Sequence, residues 1–231
     1  MSRALFVTGT GTDVGKTYVS GLIVRKLLEA GRNPAYYKAA MSGNDRRPDG
    51  SLIPGDALRV REASGILQPL ESMCPYVYEN AWSPHLAALV EGNPVCLDVV
   101  RAGFEALCQA YDVITVEGSG GILCPLRRGD VSLQLEDVVR LLRLPSVIVA
   151  DAGLGTINSV VLTHYYMKDR GLPVRGVIYN HFHPGDRMEE DNIATCEDMT
   201  GLPTLARVKD GDAELDVKAE ALLALYDEVT V

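Results

Sequence analysis

The chain is short of positive charge. Lys and Arg number 22 against 31 Asp and Glu, a formal net charge of −9, so it offers no extended basic face to track nucleic-acid phosphates. It also lacks any CxxC pair. Cys74, Cys96, Cys108, Cys124 and Cys196 are scattered and odd in number, which argues against a zinc knuckle or redox motif. Such thiols suit a reducing compartment, where each behaves as a small hydrophobe. Apolar runs of the roughly 18 residues a membrane span needs are missing. The first apolar stretch ends at Val7, too short for a signal-peptide core. A cytoplasmic location is therefore expected, with neither nucleic acid nor membrane as partner. What is present is ordinary for a globular protein: 231 residues, 47% hydrophobic and 23% charged, enough to bury a core without a disulfide or metal staple. With no repeat, low-complexity stretch or linker, a single domain over residues 1–231 is expected.

Short apolar runs alternate with helical patterns. Strands are expected at Ala4–Val7, Pro34–Ala40, Val113–Val116, Ser146–Ala150, Val174–Tyr179 and Thr204–Val208. Between them, Lys16–Ala30 puts Val19, Leu22, Ile23, Leu27 and Ala30 on one helical face, with Gly31 as the stop. Further helices are expected near Asp56, at Asn93–Tyr111, Leu135–Leu142, Thr156–Arg170 and Glu189–Thr200, and from about Ala213 to the end. Gln68–His85, punctuated by three prolines, reads as irregular. Nearly continuous apolar strands alternating with helices predict a doubly wound α/β fold, a mostly parallel sheet with helices on both faces.

In such a sheet, ligands bind beyond the carboxyl ends of the strands, and four loops there carry chemistry. The first is Gly9-Thr10-Gly11-Thr12-Asp13-Val14-Gly15-Lys16-Thr17. Its backbone N–H groups at a helix N-terminus suit phosphate oxygens. Lys16 suits the β/γ-phosphates, and the Thr17 hydroxyl suits Mg²⁺. The spacing from Gly9 to Gly15 is five residues rather than the usual four. The second is Glu117-Gly118-Ser119-Gly120-Gly121, after an apolar strand. A carboxylate there needs a nearby cation, Mg²⁺ beside a phosphate loop, or else caps the next turn. In the third, Lys38 ends a strand, followed by Ala39-Ala40-Met41-Ser42-Gly43. By itself Lys38 reads as a solvated strand-end lysine, with charge stabilisation of a transferring phosphoryl group as the alternative. Asp56 reads in the same way as a helix cap, with a metal ligand as the alternative. The fourth, Leu154-Gly155-Thr156-Ile157-Asn158, opens a helix whose N–H groups suit a carboxylate, or is capped by Thr156. These residues alone predict an ATP- or GTP-using enzyme or switch with Mg²⁺. His85, His164, His181 and His183 show no ligand spacing and read as structural or surface residues.

Taken together, these motifs resemble the dethiobiotin synthetase family, a P-loop NTPase type. The five-residue spacing of the phosphate loop is similar to that family's own form. So are Lys38–Gly43, Asp56-Ala57-Leu58, Ser83-Pro84-His85, Val116–Gly121, Leu154–Asn158 and Tyr179-Asn180, in order from about residue 3 to 183. The resemblance implies ATP-dependent carboxylation of 7,8-diaminopelargonate with CO₂ (or bicarbonate) and closure of a ureido ring, through a carbamate and its mixed anhydride with phosphate. It implies that Lys16, Lys38 and Ser42 are catalytic. ATP would meet Thr12, Asp13, Val14, Gly15, Lys16, Thr17, Tyr18, Asp56, Glu117, Gly118, Ser119, Gly120 and Asn180, the last at the adenine edge. Mg²⁺ would be held by Thr17, Asp56 and Glu117. The diamine would meet Thr12 and Ser42, and its carboxylate would meet Gly155, Thr156, Ile157 and Asn158 across a homodimer interface.

Two positions depart from the family pattern. Gly11 stands where a polar or acidic residue is usual, and Ala206–Gly211 lacks the proline usual after the last strand. The rival reading is a partitioning or cobyrinate-amidation ATPase. The first usually has a second lysine in its loop, where this chain has only Lys16, and the second needs a source of ammonia. A non-enzymatic nucleotide switch would leave Lys38 and Ser42 without a task.

Overall fold

The computed structural model describes residues 2–229. Its first strand, β1 (Arg3–Gly9), alternates its side chains between two cores. Ala4 and Phe6 pack on one face of the sheet, Leu5 and Val7 on the other, and all four are buried. That two-sided burial is what a strand central to a helix-covered sheet requires. The chain continues through α1 (Lys16–Glu29), β2 (Pro34–Lys38), β3 (Ala40–Met41), α2 (Gly55–Ser64), β4 (Tyr76–Val77), α3 (Pro84–Val90) and α4 (Leu97–Ala110). Next come β5 (Val113–Gly121), β6 (Pro125–Arg127), β7 (Leu133–Gln134), α5 (Leu135–Leu142), β8 (Ser146–Asp151) and α6 (Thr156–Asp169). β9 (Val174–Asn180), α7 (Arg187–Thr200), β10 (Thr204–Arg207), α8 (Ala219–Leu223) and β11 (Asp227–Glu228) complete it.

The main sheet runs β10-β9-β8-β1-β5-β2, all parallel. The doubly wound expectation holds: α1, α2 and α8 cover one face, and α4 to α7 the other. Chain order reverses between β1 and its neighbours, so the crevice at the ends of β1, β5 and β8 is the switch point where such sheets bind ligands. In the parallel pairing of β2 with β5, Lys38 stands opposite Glu117. That register brings together two charges 79 residues apart in the chain.

Four expectations need correction. The strand expected over Pro34–Ala40 breaks after Lys38, and Ala40–Met41 leaves the main sheet to pair with β4. The stretch read as irregular therefore supplies a strand, and its Pro84 opens α3. The first helix ends at Glu29, leaving Ala30 exposed as its C-cap. The terminal helix is only Ala219–Leu223, followed by β11, which is antiparallel to β1. The reason is local: β8 first pairs with β1 at Phe6, so the open side of Arg3 and Ala4 is taken by Asp227 and Glu228. An unpaired buried strand edge would be costly.

Candidate active site

A cleft of about 1100 Å³ lies beyond the carboxyl ends of β1, β5 and β2. Its phosphate-loop wall enters α1 through Gly15, whose φ of +87° only glycine adopts without strain. A Cβ there would also stand 2.0 Å from Asn180 Nδ2. Lys16 is buried, and its Nζ donates to the Gly11 carbonyl at 2.7 Å. Burial pulls its pKa down, more than the neighbouring Glu117 lifts it.

Opposite Lys16 is a buried ionic cluster. Lys38, 5% exposed, donates from Nζ to Asp56 Oδ2 at 2.7 Å and to Glu117 Oε1 at 2.6 Å. The reading of Lys38 as solvated is thus overturned, and so is that of Asp56 as a cap, since Pro54 occupies the N-cap of α2. Burial by itself would lower the Lys38 pKa, but the two carboxylates outweigh it and the net shift is upward. Asp56 is the mirror case: burial would raise its carboxyl, and Lys38 holds it below the ordinary range. Glu117 Oε1 also accepts from Thr17 Oγ1 at 2.9 Å, and its Oε2 accepts from the Tyr36 hydroxyl at 3.0 Å. Two lysines against two carboxylates leave the cluster without formal net charge, which is the condition under which ionised groups tolerate burial.

The donors that face this space beside the lysines are hard oxygens: the Thr17 hydroxyl and the Asp56 and Glu117 carboxylates. No group of three or more His, Cys, Asp or Glu gathers as a cage among the described residues. One or two carboxylates completed by substrate phosphates is how Mg²⁺ is usually held, so the residues present fit that ion.

Thr12, Asp13, Gly15, Tyr18, Ser42, Ser119, Gly120 and Asn180 all line the same cleft. Ser119 Oγ donates to the Ala40 carbonyl at 2.6 Å, tying the β5 end to the strand beyond Lys38. Val14 does not line the cleft, but its carbonyl accepts from Asn180 Nδ2 at 3.3 Å. Asn180 is 1% exposed, and its Oδ1 has no hydrogen-bond partner among the described residues. Gly118 faces the core instead: a Cβ there would lie 2.5 Å from Leu135 Cδ2. Gly155, Thr156, Ile157 and Asn158 stand apart from the cleft at the start of α6, where Gly155 rather than Thr156 is the N-cap. Around them the turn before α6 and α6 itself present apolar groups to solvent, with Leu154 90%, Leu162 62% and Tyr165 49% exposed.

Several wall residues were not singled out in the sequence. Arg59 follows Asp56 by one helical turn, and Trp82 adjoins the Ser83-Pro84 pair that also lines the cleft. Cys124 lies across from Lys16 and Lys38. His181, read as structural or surface, lines the cleft with its Nδ1 2.5 Å from Asp210 Oδ1. The departing segment 206–211 thus reaches the wall through Asp210 and Gly211, and the Tyr18 hydroxyl bonds the adjoining Asp212 carbonyl. Tyr36 was also missed, although strand periodicity sets it on the same face as Lys38.

The family model described as an AAA domain matches residues 3–213. The ATP-dependent dethiobiotin synthetase BioD of Brachyspira hyodysenteriae is 46% identical over 94% of this chain and 97% of its own length. The synthetase of the same name from Clostridium botulinum strain Loch Maree is 40% identical over 99% and 100%. The chain belongs to the ATP-dependent dethiobiotin synthetase family. Among solved structures, the septum site-determining protein MinD of Pyrococcus horikoshii matches with a TM-score of 0.53 at 14% identity, over 97% of this chain and 94% of its own. The MinC:MinD complex of Aquifex aeolicus gives 0.57 at 13%, over 90% and 82%. At such identities the likeness is one of fold, and it does not favour the partitioning alternative over synthetase relatives of far higher identity. No helix among the described residues is long and apolar enough to cross a membrane.

Proposed function

We propose that this cleft joins CO₂ to 7,8-diaminopelargonate and closes the ureido ring of dethiobiotin with ATP and Mg²⁺, in a homodimer. The activity, an ATP-dependent ligase reaction, is that of the family. The observation that carries the reading of the site is Lys38, buried between Asp56 and Glu117 beside Lys16 and Thr17.

One amine of the substrate attacks CO₂, forming the N–C bond and, with loss of a proton, a carbamate. A carbamate oxygen attacks the γ-phosphorus, the bond to the ADP oxygen breaks, and a carbamic–phosphoric anhydride forms. The second amine attacks its carbonyl carbon, phosphate departs with the C–O electron pair, the attacking nitrogen gives up one proton to that phosphate, and the ring closes. Lys16, released from Gly11, neutralises the β/γ-phosphates. Lys38 faces the carbamate and the transferring phosphoryl group, where fixed positive charge in a water-poor site is most effective. Ser42 and Thr12 hold the diamine end. The Asn180 amide, its Nδ2 turned to Val14, offers Oδ1 to the exocyclic amine of adenine. Thr17, Asp56 and Glu117 would hold Mg²⁺, which supplies charge neutralisation at the β- and γ-phosphates.

The free N-terminal turn of α6 and the exposed Leu154, Leu162 and Tyr165 support an interface that carries Gly155–Asn158 to the partner's cleft. There the N–H groups suit the far carboxylate of an extended amino acid. Five unpaired thiols support a reducing, cytoplasmic setting.

The test is ADP release with Mg-ATP and bicarbonate, with and without diaminopelargonate, and analysis of the product. Strong dependence on the diamine and a cyclic urea are expected. ADP release indifferent to the diamine would defeat the reading. For the shared site, mixing Lys38→Ala protein with Asn158→Trp protein is expected to restore part of the activity that each lacks. No recovery from subunits that do exchange would reject it.

A further inference from the structure

Tyr36 is a fully buried phenol in edge strand β2. Its backbone is clamped by Gln68, whose Oε1 accepts from Tyr36 N at 2.8 Å and whose Nε2 donates to Tyr36 O at 3.0 Å. The Gln68 amide thus stands in for a missing neighbouring strand and keeps β2 in register. Two residues on, Lys38 points from the same face, and Glu117 lies opposite Lys38 on β5. The Tyr36 hydroxyl reaches diagonally across this pair to Glu117 Oε2 at 3.0 Å. The two Glu117 oxygens are therefore used differently. Oε1 serves Thr17 and Lys38 in the cleft, while Oε2, among the described residues, bonds only Tyr36 beneath it. The Glu117 side chain is 0% exposed, so Oε2 depends on the partner that the fold itself supplies.

We infer that Tyr36 is a positioning residue, which ties down Glu117 Oε2 so that Oε1 alone is presented to Thr17, Lys38 and the metal. The inference rests on the assignment of Glu117 to Mg²⁺ made above. Without the phenol, Oε2 is left unpaired in a dry site and the carboxylate turns to satisfy it. The oxygen aimed at the metal is then lost as a fixed ligand. Groups that orient a metal ligand in this way typically carry about 10–100-fold in metal affinity.

The variant is Tyr36→Phe, which removes one oxygen and keeps the ring. Mn²⁺ binding to the enzyme–ADP complex, followed by the paramagnetic resonance of free Mn²⁺, is expected to weaken about tenfold. The Mg²⁺ concentration that half-saturates diamine-dependent ADP release is expected to rise by a similar factor. The KM for the diamine should hold, and excess Mg²⁺ should restore kcat. Unchanged Mn²⁺ affinity and Mg²⁺ requirement, even with a lower Tm, would overturn the inference and leave Tyr36 a packing residue. If the variant does not fold, 3-fluorotyrosine placed at position 36 keeps the hydroxyl. Its ¹⁹F resonance is expected to shift when Mg²⁺ joins the ADP complex, and a resonance blind to Mg²⁺ would likewise overturn it. Failure of the wild type to need the diamine would defeat the proposed reaction but leave the Mn²⁺ comparison standing.

Discussion

The two halves of the sheet end in different chemistry. At the carboxyl ends of β1, β5 and β2, Lys16, Lys38 and Glu117 are buried, with Asp56 closing the cluster from α2. At the ends of β8 and β9 the corresponding groups are an exposed Asp151 and a neutral, buried Asn180. Beyond Asp151 the first turn of α6 is open to solvent at Gly155 and Asn158. One half thus concentrates compensated charge away from water, where each charge acts strongly on a reacting group. The other presents amide and backbone groups, which recognise a ligand without storing electrostatic energy. On the proposed reading, phosphoryl transfer would fall to the first half and recognition of base and carboxylate to the second.

The sharpest way to break this contrast is Lys38→Ala. Loss of a preorganised charge at the reacting atoms is expected to cost about 3–4 kcal/mol in the transition state, roughly 10²–10³-fold in kcat. Diamine-dependent ADP release measures it, and near-normal turnover would deny the first half its special role.

A smaller effect is expected from Asp56→Asn in metal-free buffer, about 1.5 kcal/mol at pH 7 from the weakened charged hydrogen bond. Its pH dependence carries the information. The Asp56 carboxyl is held below its ordinary value by Lys38, so its stabilisation is complete above about pH 4–5 and is lost as pH falls through the depressed folded value. Lys38 is shifted upward, so its contribution persists through neutral pH and is lost only as pH rises through a folded value above the ordinary lysine range. Urea midpoints of wild type and variant should therefore converge in acid and stay parallel from pH 6 to 9. A constant gap across the acid limb would mean that the pair is not ionic.

The smallest effect belongs to the second half. Asn180→Ala removes one neutral hydrogen-bonding amide and is expected to raise the KM for ATP about fivefold, near 1 kcal/mol, with kcat little changed. A fall in kcat as deep as that of Lys38→Ala would erase the distinction between the halves.

Much of this arrangement is legible along the chain. The unbroken apolar run Ala4-Leu5-Phe6-Val7 announces a strand buried on both faces, and Gly15-Lys16-Thr17 at a strand–helix junction announces a phosphate site. Lys38 and Asp56 are the counterexample. Each taken alone reads as an exposed strand end and a helix cap, because local pattern carries no information about a partner 79 or 18 residues away. Tyr36 was hidden for the same reason, as one more apolar position in a β-rich run. The C-terminus misled for another reason: Asp227–Glu228 form a strand only because β1 offers them an unpaired edge.

Elements with local causes follow from the order of residues alone: hydrophobic period, glycine at a left-handed turn, and the lysine and hydroxyl that follow it. That order also determines the family, through ordered motifs spread over most of the chain. Folding, by contrast, sets which charges are buried and with whom, which oxygen of Glu117 faces the cleft, and that Gly118 serves the core while Gly155–Asn158 stand outside the cleft of their own chain. Strand register and burial set the environment of an ionisable group, and both arise from contacts between segments that are remote in the chain.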